Sequence, residues 1–231
     1  MILLVMGGEI RDFGLFRRRI EEAGLILAAD SGARHILRAG ARPAQVYSDK
    51  DSLSEEEIQK LENNGCQLIL SPAEKNDTDG SYVLKEALSR GFTDIRIWGA
   101  LGGRPDHSYG NLMLLQLALQ GPYRLAYGPE DEDLPDVVIE DGGLRIFLAK
   151  RGRWIEGRKG DYLSLFALSP EVTGFRQEGL KYQPEGDRFV SEFPLGISNE
   201  FTGDRARLDW EKGVLLCMRV ERGFSPVKNK D

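Results

Sequence analysis

Cysteine is scarce in this chain: Cys66 and Cys217 are the two cysteines among 231 residues, and each lies in an apolar stretch. Two distant cysteines are too few for a disulfide-stapled fold, so we interpret both as buried thiols in a reducing compartment. No apolar run approaches the roughly 20 residues of a membrane-spanning helix. The opening apolar stretch, residues 2–6, is too short for a secretory signal. We therefore expect a cytoplasmic protein with no membrane partner.

The chain also has fewer basic than acidic residues. The formal net charge is −6, and residues 1–140 carry 15 basic against 23 acidic residues. Nucleic-acid-binding proteins present a basic face to the phosphate backbone, so this balance argues against a nucleic-acid partner. An acidic first half is instead suited to concentrating carboxylates on a cation.

Two common nucleotide-binding motifs are also absent. The chain has no G-x-x-x-x-G-K-[ST] sequence, which argues against a P-loop kinase. No G-x-G-x-x-G follows the first predicted strand, which argues against a nicotinamide-dependent dehydrogenase. A nucleotide would therefore have to be bound by another arrangement.

The order of strand-like and helix-like segments predicts two domains. Up to about residue 128, short apolar runs alternate with stretches of helical length, which is typical of a mostly parallel sheet flanked by helices. After an acidic, proline-bounded stretch, short β-rich runs separated by turn residues predict an all-β sandwich. We predict an α/β domain over residues 1–128, a β-sandwich domain over 136–222 and a frayed polar tail over 223–231.

The run Gly99–His107, with the sequence G-A-L-G-G-R-P-D-H, is the most informative stretch. It follows a predicted strand and precedes a predicted helix. Glycines at such a turn let the backbone approach a ligand and expose N–H groups to phosphate oxygens. Arg104 can hold an anion, Asp106 can hold a metal or accept a proton, and His107 can donate a hydrogen bond. A purely structural turn would not need these three side chains together.

Acidic residues follow two other predicted strands. Asp49 and Asp51 are two positions apart, so in an extended segment both carboxylates face one way, as in half of a Mg²⁺ site; a solvated turn is the alternative. Asp77 and Asp79 precede a predicted helix, where the helix dipole alone also favours acids. Because ligands bind beyond the carboxyl ends of the strands in an open α/β sheet, both clusters can meet there. Carboxylates for a metal, beside groups that bind phosphate, are what phosphoryl-type transfer requires.

Two weaker signals follow the first two predicted strands. The Gly7-Gly8 pair is compatible with a phosphate-binding turn and equally with a plain turn. Asp30 is compatible with a ligand-binding role and equally with a role as the N-cap of the next helix.

Together these segments resemble the motifs of the thiamine pyrophosphokinase family. In chain order, the segments that carry the resemblance are Met6–Gly8, Asp30–Gly32, Ser48–Ser52, Glu74–Asp79, Gly99–His107, Gly179–Tyr182 and Ile197–Glu200. They span nearly the whole chain, and the Gly-Gly-Arg-x-Asp-His segment is the most specific of them. The resemblance implies an α/β domain followed by a β-sandwich, working as a homodimer. It also implies transfer of pyrophosphate from ATP to the hydroxyl of thiamine, giving thiamine diphosphate and AMP.

The resemblance further implies roles for individual residues. Mg²⁺ would lie among Asp49, Asp51 and Asp79, and the catalytic residues would be Asp51, Arg104 and Asp106. The residues implied to contact the nucleotide are Gly8, Asp30, Gly102, Gly103, Arg104 and His107, and those implied to contact thiamine near the dimer interface are Ser198 and Asn199. A packing and hydrogen-bonding role for His107 is an equal alternative.

The chain departs from the family pattern at several positions. Ser48 and Lys50 replace the usual Gly and Phe, Asn76 replaces the first acid of the Lys-Asp-x-Thr-Asp motif, and Ser81 replaces a common acid. The site therefore has fewer negative charges than usual, although Asp77 beside Asn76 is a candidate substitute. Two alternatives follow: a degenerate relative that binds thiamine or a nucleotide without transfer, and a metal-dependent phosphoesterase. The phosphoesterase would leave the last two matching segments without a role.

Overall fold

The computed structural model divides the chain into two compact units, Met1–Ala118 and Leu119–Asp231. The structure describes residues 1–48, 53–70, 77–119 and 134–224. The predicted domain boundary, at residues 128–136, and most of the predicted tail fall outside the described residues and stay predictions. Within the described ranges, no helix is long and apolar enough to cross a membrane. The cytoplasmic location stays a prediction.

Strands and helices alternate in the first unit, which confirms the predicted α/β class. The strands are β1 (Ile2–Val5), β2 (Leu25–Ala29), β3 (Gln45–Ser48), β4 (Gln67–Leu70) and β5 (Asp94–Trp98). The helices are α1 (Phe13–Glu22), α2 (Gly32–Arg38), α3 (Glu55–Asn63), α4 (Asp79–Ser89) and α5 (Pro105–Met113). All pairs of neighbouring strands in this unit are parallel.

Side chains that accept hydrogen bonds from the first turn start three of these helices. The Asp12 carboxylate accepts a hydrogen bond from the Leu15 N–H at 2.8 Å. Ser54 and Glu57 form a reciprocal capping box at the start of α3. Thr78 caps α4 by accepting a hydrogen bond from the Ser81 N–H at 3.2 Å. Each cap satisfies backbone donors that would otherwise lack partners.

The helix that the sequence predicts from about Asp106 to Leu119 is divided in the structure. α5 ends at Met113, and a 3-10 helix continues over Leu114–Leu119. In 3-10 geometry, side chains three positions apart stack on one side. Leu115 and Ala118 are both buried on that side. The strand predicted at residues 123–127 lies outside the described residues.

The order of the parallel strands is β5-β1-β2-β3-β4, so β1 pairs with β2 on one side and with β5 on the other. The chain therefore builds outward from β1 to β4 and then returns to the opposite side of β1. This reversal places a topological switch point between β1 and β5. Ligands of open α/β sheets bind beyond the carboxyl ends of the strands at such a point.

Aromatic packing holds the first helix over the sheet in this unit. Phe16 of α1 and Trp98 of β5 are fully buried, and their ring centroids are 5.4 Å apart. All four residues of β1 are buried. A central strand buried on both faces reads as a continuous apolar run, which is what the first residues of the chain show.

The second unit consists of antiparallel sheets, which confirms the predicted all-β class. Its strands are β6 (Asp136–Asp141), β7 (Leu144–Leu148), β8 (Trp154–Glu156), β9 (Tyr162–Ala167), β10 (Glu171–Thr173), β11 (Arg176–Glu178), β12 (Arg188–Val190), β13 (Gly196–Glu200), β14 (Arg205–Asp209) and β15 (Leu215–Val220). One sheet has the order β6-β7-β15-β9-β13, a second has the order β11-β14-β8, and β10 pairs with β12.

The core of the second unit lies between these sheets. Leu163 and Leu165 of β9 and Leu208 of β14 belong to one buried cluster. The rings of Phe175 and Phe189 meet edge to face within it, with centroids 4.8 Å apart. Cys217 of β15 also lies in this cluster, and both cysteines of the chain are buried free thiols, as the sequence predicts.

Candidate active site

The turn after β5 is held directly against the segment that follows β1. The Gly8 N–H donates to the Gly99 carbonyl at 2.7 Å, and the Glu9 N–H donates to the Leu101 carbonyl at 2.7 Å. A Cβ atom at Gly8 would lie 2.4 Å from the Leu101 oxygen and 2.5 Å from the Gly99 oxygen. Glycine at this position therefore permits a backbone approach that any side chain would prevent. The two strand-end turns form one surface at the switch point.

Side chains of α5 bind the remaining carbonyls of the same turn. The Asn111 Nδ2 atom donates to the Ala100 carbonyl at 2.7 Å, and the Ser108 hydroxyl lies 3.4 Å from the Gly102 carbonyl. Among the described residues, none accepts a hydrogen bond from the N–H of Gly102 or Gly103. Backbone N–H groups without protein acceptors are the donors that bind phosphate oxygens. The arrangement therefore suits an anion.

Arg104 and Asp106 pair with each other beside this turn. The guanidinium donates two hydrogen bonds to the carboxylate, at 3.1 and 2.6 Å, and the His107 N–H adds a third at 3.0 Å. The hydrogen bonds from Arg104 are the main reason that the pKa of Asp106 falls to about 2. The Arg104 and Asp106 side chains are 72% and 61% exposed, so an arriving anion or metal can reach both.

His107 is exposed at the start of α5. Its imidazole makes no hydrogen bond to any residue within the described ranges, and the side chain does not enter the core. This placement leaves the ring accessible to a ligand, and it argues against the alternative packing role. The nucleotide contact stays a prediction.

The turn after β2 adjoins the same surface. A Cβ atom at Gly7 would lie 2.0 Å from the Ser31 hydroxyl oxygen, and one at Gly32 would lie 2.2 Å from the Val5 carbonyl oxygen. Ser31, and not Asp30, occupies the N-cap position of α2, so the structure does not support the capping alternative for Asp30. Asp30 has a φ of 49°, a left-handed conformation that Asp tolerates better than most residues. The segments after β1, β2 and β5 therefore lie side by side.

His35 supports this surface from α2, and the sequence analysis does not identify it. Its Nε2 atom lies 2.8 Å from the Gly8 carbonyl oxygen. Because a carbonyl oxygen can only accept, the imidazole donates through Nε2. This contact directs the Gly8 carbonyl toward α2. The sequence carries no signal for it, since the partners are 27 positions apart.

The acidic candidates are described in part. Asp49 and Asp51 lie outside the described residues, as do Lys50 and Asn76. Asp79 is the first residue of α4 and is 8% exposed. The next residue, Gly80, lies against the end of β1, because a Cβ atom there would be 2.8 Å from the Met6 Cε atom. Within the described ranges, no group of three potential metal-binding side chains is found.

Asp77 and Ser81, on either side of the first residue of α4, both have hydrogen-bond partners within the protein. Asp77 accepts two hydrogen bonds from the Lys85 ammonium, at 2.8 and 2.9 Å, so its carboxylate is engaged on the helix surface. The Ser81 hydroxyl donates to the Thr78 carbonyl at 2.9 Å, and the Ser81 N–H donates to the Thr78 hydroxyl at 3.2 Å. Ser81 therefore reinforces the N-terminus of α4. Asp77 would have to leave Lys85 to act in place of Asn76.

The predicted thiamine residues lie on β13 of the second unit. Ser198 is exposed, has a φ of 58°, and its N–H donates to the Ser164 hydroxyl at 3.0 Å. Asn199 is 6% exposed, and its side-chain amide accepts from the Tyr182 N–H at 2.9 Å and donates to the Tyr182 carbonyl at 2.6 Å. Asn199 thus joins the two segments, 179–182 and 197–200, that carry the sequence resemblance in this unit. Thiamine contact by Ser198 and Asn199 stays a prediction.

Comparisons with known proteins agree on one family. A family model described as "Thiamin pyrophosphokinase, catalytic domain" matches residues 16–124, and one described as "Thiamin pyrophosphokinase, vitamin B1 binding domain" matches residues 150–215. The thiamine pyrophosphokinase of Bacillus subtilis (strain 168) is 26% identical over 199 residues, which cover 86% of this chain and 88% of that relative.

Solved structures confirm the fold. The crystal structure of thiamine pyrophosphokinase from Bacillus subtilis matches with a TM-score of 0.79 and 26% identity, over 95% of this chain and 98% of that one. The crystal structure of thiamin pyrophosphokinase from Geobacillus thermodenitrificans matches with a TM-score of 0.74 and 26% identity, over 96% of this chain and 99% of that one. The two family models together cover about three quarters of the sequence. The chain therefore belongs to the thiamin pyrophosphokinase family.

Proposed function

We propose that this chain transfers pyrophosphate from ATP to the hydroxyl group of thiamine, giving thiamine diphosphate and AMP. The hydroxyl oxygen forms a bond to the β-phosphorus of ATP and loses its proton. The bond from that phosphorus to the oxygen bridging the α-phosphorus breaks, and AMP leaves with that oxygen. The Gly99–Gly103 turn beside Arg104, in a chain whose two parts both match this family, is the observation that carries the proposal.

The phosphates of ATP bind at the turn after β5. The N–H groups of Gly102 and Gly103 donate to phosphate oxygens, and the close packing of the Gly8 segment against this turn holds it in place. Phosphate oxygens replace the Asp106 carboxylate as the partner of Arg104, because a guanidinium binds either anion through two hydrogen bonds. This exchange releases Asp106 to face the metal or the attacking hydroxyl. Asp30 and His107 are proposed to contact the nucleotide at the edges of this surface.

Mg²⁺ is the proposed metal, held by Asp49, Asp51 and Asp79. Asp79 fits this role, because the residue is 8% exposed and its carboxylate offers the oxygen ligands that Mg²⁺ prefers. The bound cation would offset negative charge on the transferred phosphates. Asp51 is proposed to act in catalysis as well as in metal binding.

A homodimer is the proposed assembly, with Ser198 and Asn199 facing thiamine near the interface. Among the described strands, β13 pairs only with β9, so it is an edge strand. Leu195 and Ile197 at this edge are exposed, at 46% and 54%. An exposed apolar edge strand is typical of a surface that another chain covers. Ile197→Asp is expected to reduce the mass in light scattering from two chains to one, whereas Leu70→Asp at the exposed end of β4 leaves it unchanged.

The deciding experiment combines the pure protein with ATP, Mg²⁺ and thiamine and measures AMP. AMP that forms only when thiamine is present supports transfer. Orthophosphate that forms without thiamine would instead indicate the metal-dependent phosphoesterase. Binding of thiamine or ATP without any product would indicate the degenerate binding protein.

A further inference from the structure

Four consecutive carbonyl groups in the turn after β5 accept hydrogen bonds from other parts of the first unit. The Gly99 and Leu101 carbonyls accept from backbone N–H groups, at 2.7 Å each. The Ala100 carbonyl accepts from the side chain of Asn111 at 2.7 Å, and the Gly102 carbonyl is 3.4 Å from the Ser108 hydroxyl. Two of these four carbonyls are bound by side chains, and the contact from Asn111 is shorter than the contact from Ser108.

The direction of each carbonyl determines the direction of the next N–H. A trans peptide group is planar, and its C=O and N–H point in opposite directions. Holding the Ala100 carbonyl toward α5 therefore turns the Leu101 N–H away from that helix. The bonds to the Leu101 and Gly102 carbonyls act in the same way on the N–H groups of Gly102 and Gly103. The Leu101–Gly102 and Gly102–Gly103 peptide groups adjoin glycine, which has the fewest conformational restraints, so they would otherwise rotate easily.

Asn111 is suited to this task because it is part of a rigid element. It lies near the end of α5, eleven positions from Ala100, and is half-buried. Its amide can donate where a carboxylate of equal size cannot. Within the described residues its side chain makes no hydrogen bond to Arg104 or Asp106, so it acts on the turn through the backbone.

We infer that Asn111 is a positioning residue that orients the peptide groups of the Gly99–Gly103 turn to receive the phosphates of ATP. The inference rests on the proposed function, since it assigns the turn to ATP. It goes further by naming the side chain that orients the Ala100–Leu101 peptide group, and with it the Leu101 N–H, which has no acceptor among the described residues. Removing the amide leaves the turn in place but lets the Ala100–Leu101 peptide rotate, which weakens binding of ATP and not of thiamine.

The test compares Asn111→Ala and Asn111→Asp with a matched control, Asn64→Ala. The Asn64 Nδ2 atom also donates to a backbone carbonyl, that of Lys60 at 2.8 Å, but at the end of α3. Titration calorimetry with Mg²⁺ and ATP is expected to show a Kd raised about 3- to 10-fold for Asn111→Ala, as for loss of one hydrogen bond. Asn111→Asp, which keeps the volume but cannot donate, is expected to weaken binding at least as much. Asn64→Ala is expected to bind ATP as the unmodified protein does.

Steady-state kinetics provide the second readout. The KM for ATP is expected to rise in both Asn111 variants, while the KM for thiamine stays within about twofold, because one local hydrogen bond is lost. Unchanged ATP binding in a folded Asn111→Asp variant would overturn the inference, and so would failure of both variants to fold. If the unmodified protein forms no AMP from thiamine yet the calorimetric difference remains, the proposed function fails and the inference stands.

Discussion

Arg34 on α2 and Glu57 on α3 form an ion pair with two hydrogen bonds, Nε to Oε1 at 2.6 Å and Nη2 to Oε2 at 2.9 Å. Glu57 also accepts the Ser54 N–H at 2.8 Å in the capping box. One carboxylate therefore starts α3 and joins it to α2. The contact anchors the start of α3, which lies four positions after Asp51 in the sequence.

The ion pair predicts a dependence of stability on pH. Hydrogen bonds from Arg34, and then from Ser54, lower the pKa of Glu57 from 4.5 to about 2. A carboxyl whose pKa is lower in the folded state stabilises the protein above its unfolded pKa, and this contribution is lost as the pH falls toward the folded value. Glu57→Gln, which preserves the capping box, is expected to reduce the free energy of unfolding at pH 7 by about 0.5–1 kcal/mol.

The measurement is urea unfolding of both proteins at several pH values. The difference between Glu57→Gln and the unmodified protein is expected to shrink as the pH falls from about 4.5 to about 2, the range set by the two pKa values. A difference that stays constant down to pH 2.5 would show that the pair does not act through the charge of Glu57.

Gly8→Ala is expected to disrupt the paired turns after β1 and β5. The added methyl group would meet two backbone oxygens at 2.4 and 2.5 Å, and backbone atoms cannot move aside as a flexible side chain can. We expect a lower melting temperature and a KM for ATP raised about tenfold or more, since displaced donors no longer match the phosphates. AMP formation and thermal unfolding measure the two effects.

Gly14→Ala is the matched control for this substitution. Gly14 lies in α1, and the nearest atom to an added Cβ is an Asp12 carboxylate oxygen at 3.4 Å. Alanine has a helix propensity about 1 kcal/mol better than glycine, so this variant is expected to be slightly more stable and fully active. Equal behaviour of the two variants would contradict the close approach at Gly8.

Asp106→Asn tests the exchange of partners proposed for Arg104. Since the pKa of Asp106 is about 2, its carboxylate is ionised throughout the range in which the protein would be assayed. The amide keeps the shape but loses the charge. We expect AMP formation to fall by about 100-fold or more, as for loss of a group acting at the reacting atoms. The melting temperature is expected to change little, because both partners are largely exposed.

Arg90→Ala serves as the comparison for that pair. Arg90 forms an exposed ion pair with Glu86 on α4, at 2.9 Å, and also donates to the Gln45 side chain at the start of β3; within the described residues it makes no hydrogen bond to the turn after β5. This variant is expected to retain its rate of AMP formation. A normal rate for Asp106→Asn would instead remove Asp106 from the catalytic residues.

Substitutions at Asp79 and Asp77 distinguish the acid proposed to bind the metal, Asp79, from the acid that binds Lys85, Asp77. Asp79→Asn is expected to raise the Mg²⁺ concentration needed for half-maximal AMP formation by about tenfold, because one anionic ligand is lost. Asp77→Asn breaks the contact with Lys85 and is expected to leave the Mg²⁺ requirement unchanged. A higher Mg²⁺ requirement for Asp77→Asn, with none for Asp79→Asn, would mean that Asp77 substitutes for Asn76.

Asp51→Asn is expected to reduce turnover by about 100-fold or more while the protein stays folded.

Much of the local structure follows from short stretches of sequence. Asp12, Ser54 and Thr78 start helices because their side chains reach donors three positions ahead, a contact that sequence spacing alone predicts. The glycines and charged residues of Gly99–His107 likewise predict an anion-binding turn. The substrates, ATP and thiamine, are predicted from the resemblance of the ordered motifs to one family. The family models confirm that resemblance.

Other contacts join residues that no local rule connects. His35 binds the Gly8 carbonyl across 27 positions, and Asn111 binds the Ala100 carbonyl across eleven. The pairing of Asp77 with Lys85 decided that this acid faces a helix surface, although the sequence offered it as a substitute ligand. Such contacts depend on how helices lie against strands.

Local sequence is sufficient to predict the fold class, the helix starts and the types of side chain at the candidate site, because propensity, capping and turn chemistry act over a few residues. Which carbonyls are bonded inward, and which N–H groups remain for a ligand, follows from the folded structure alone. The reason is that the parallel strand order brings β1 and β5 together from opposite ends of the first unit's sequence, and hydrogen bonds between distant segments then orient each peptide group.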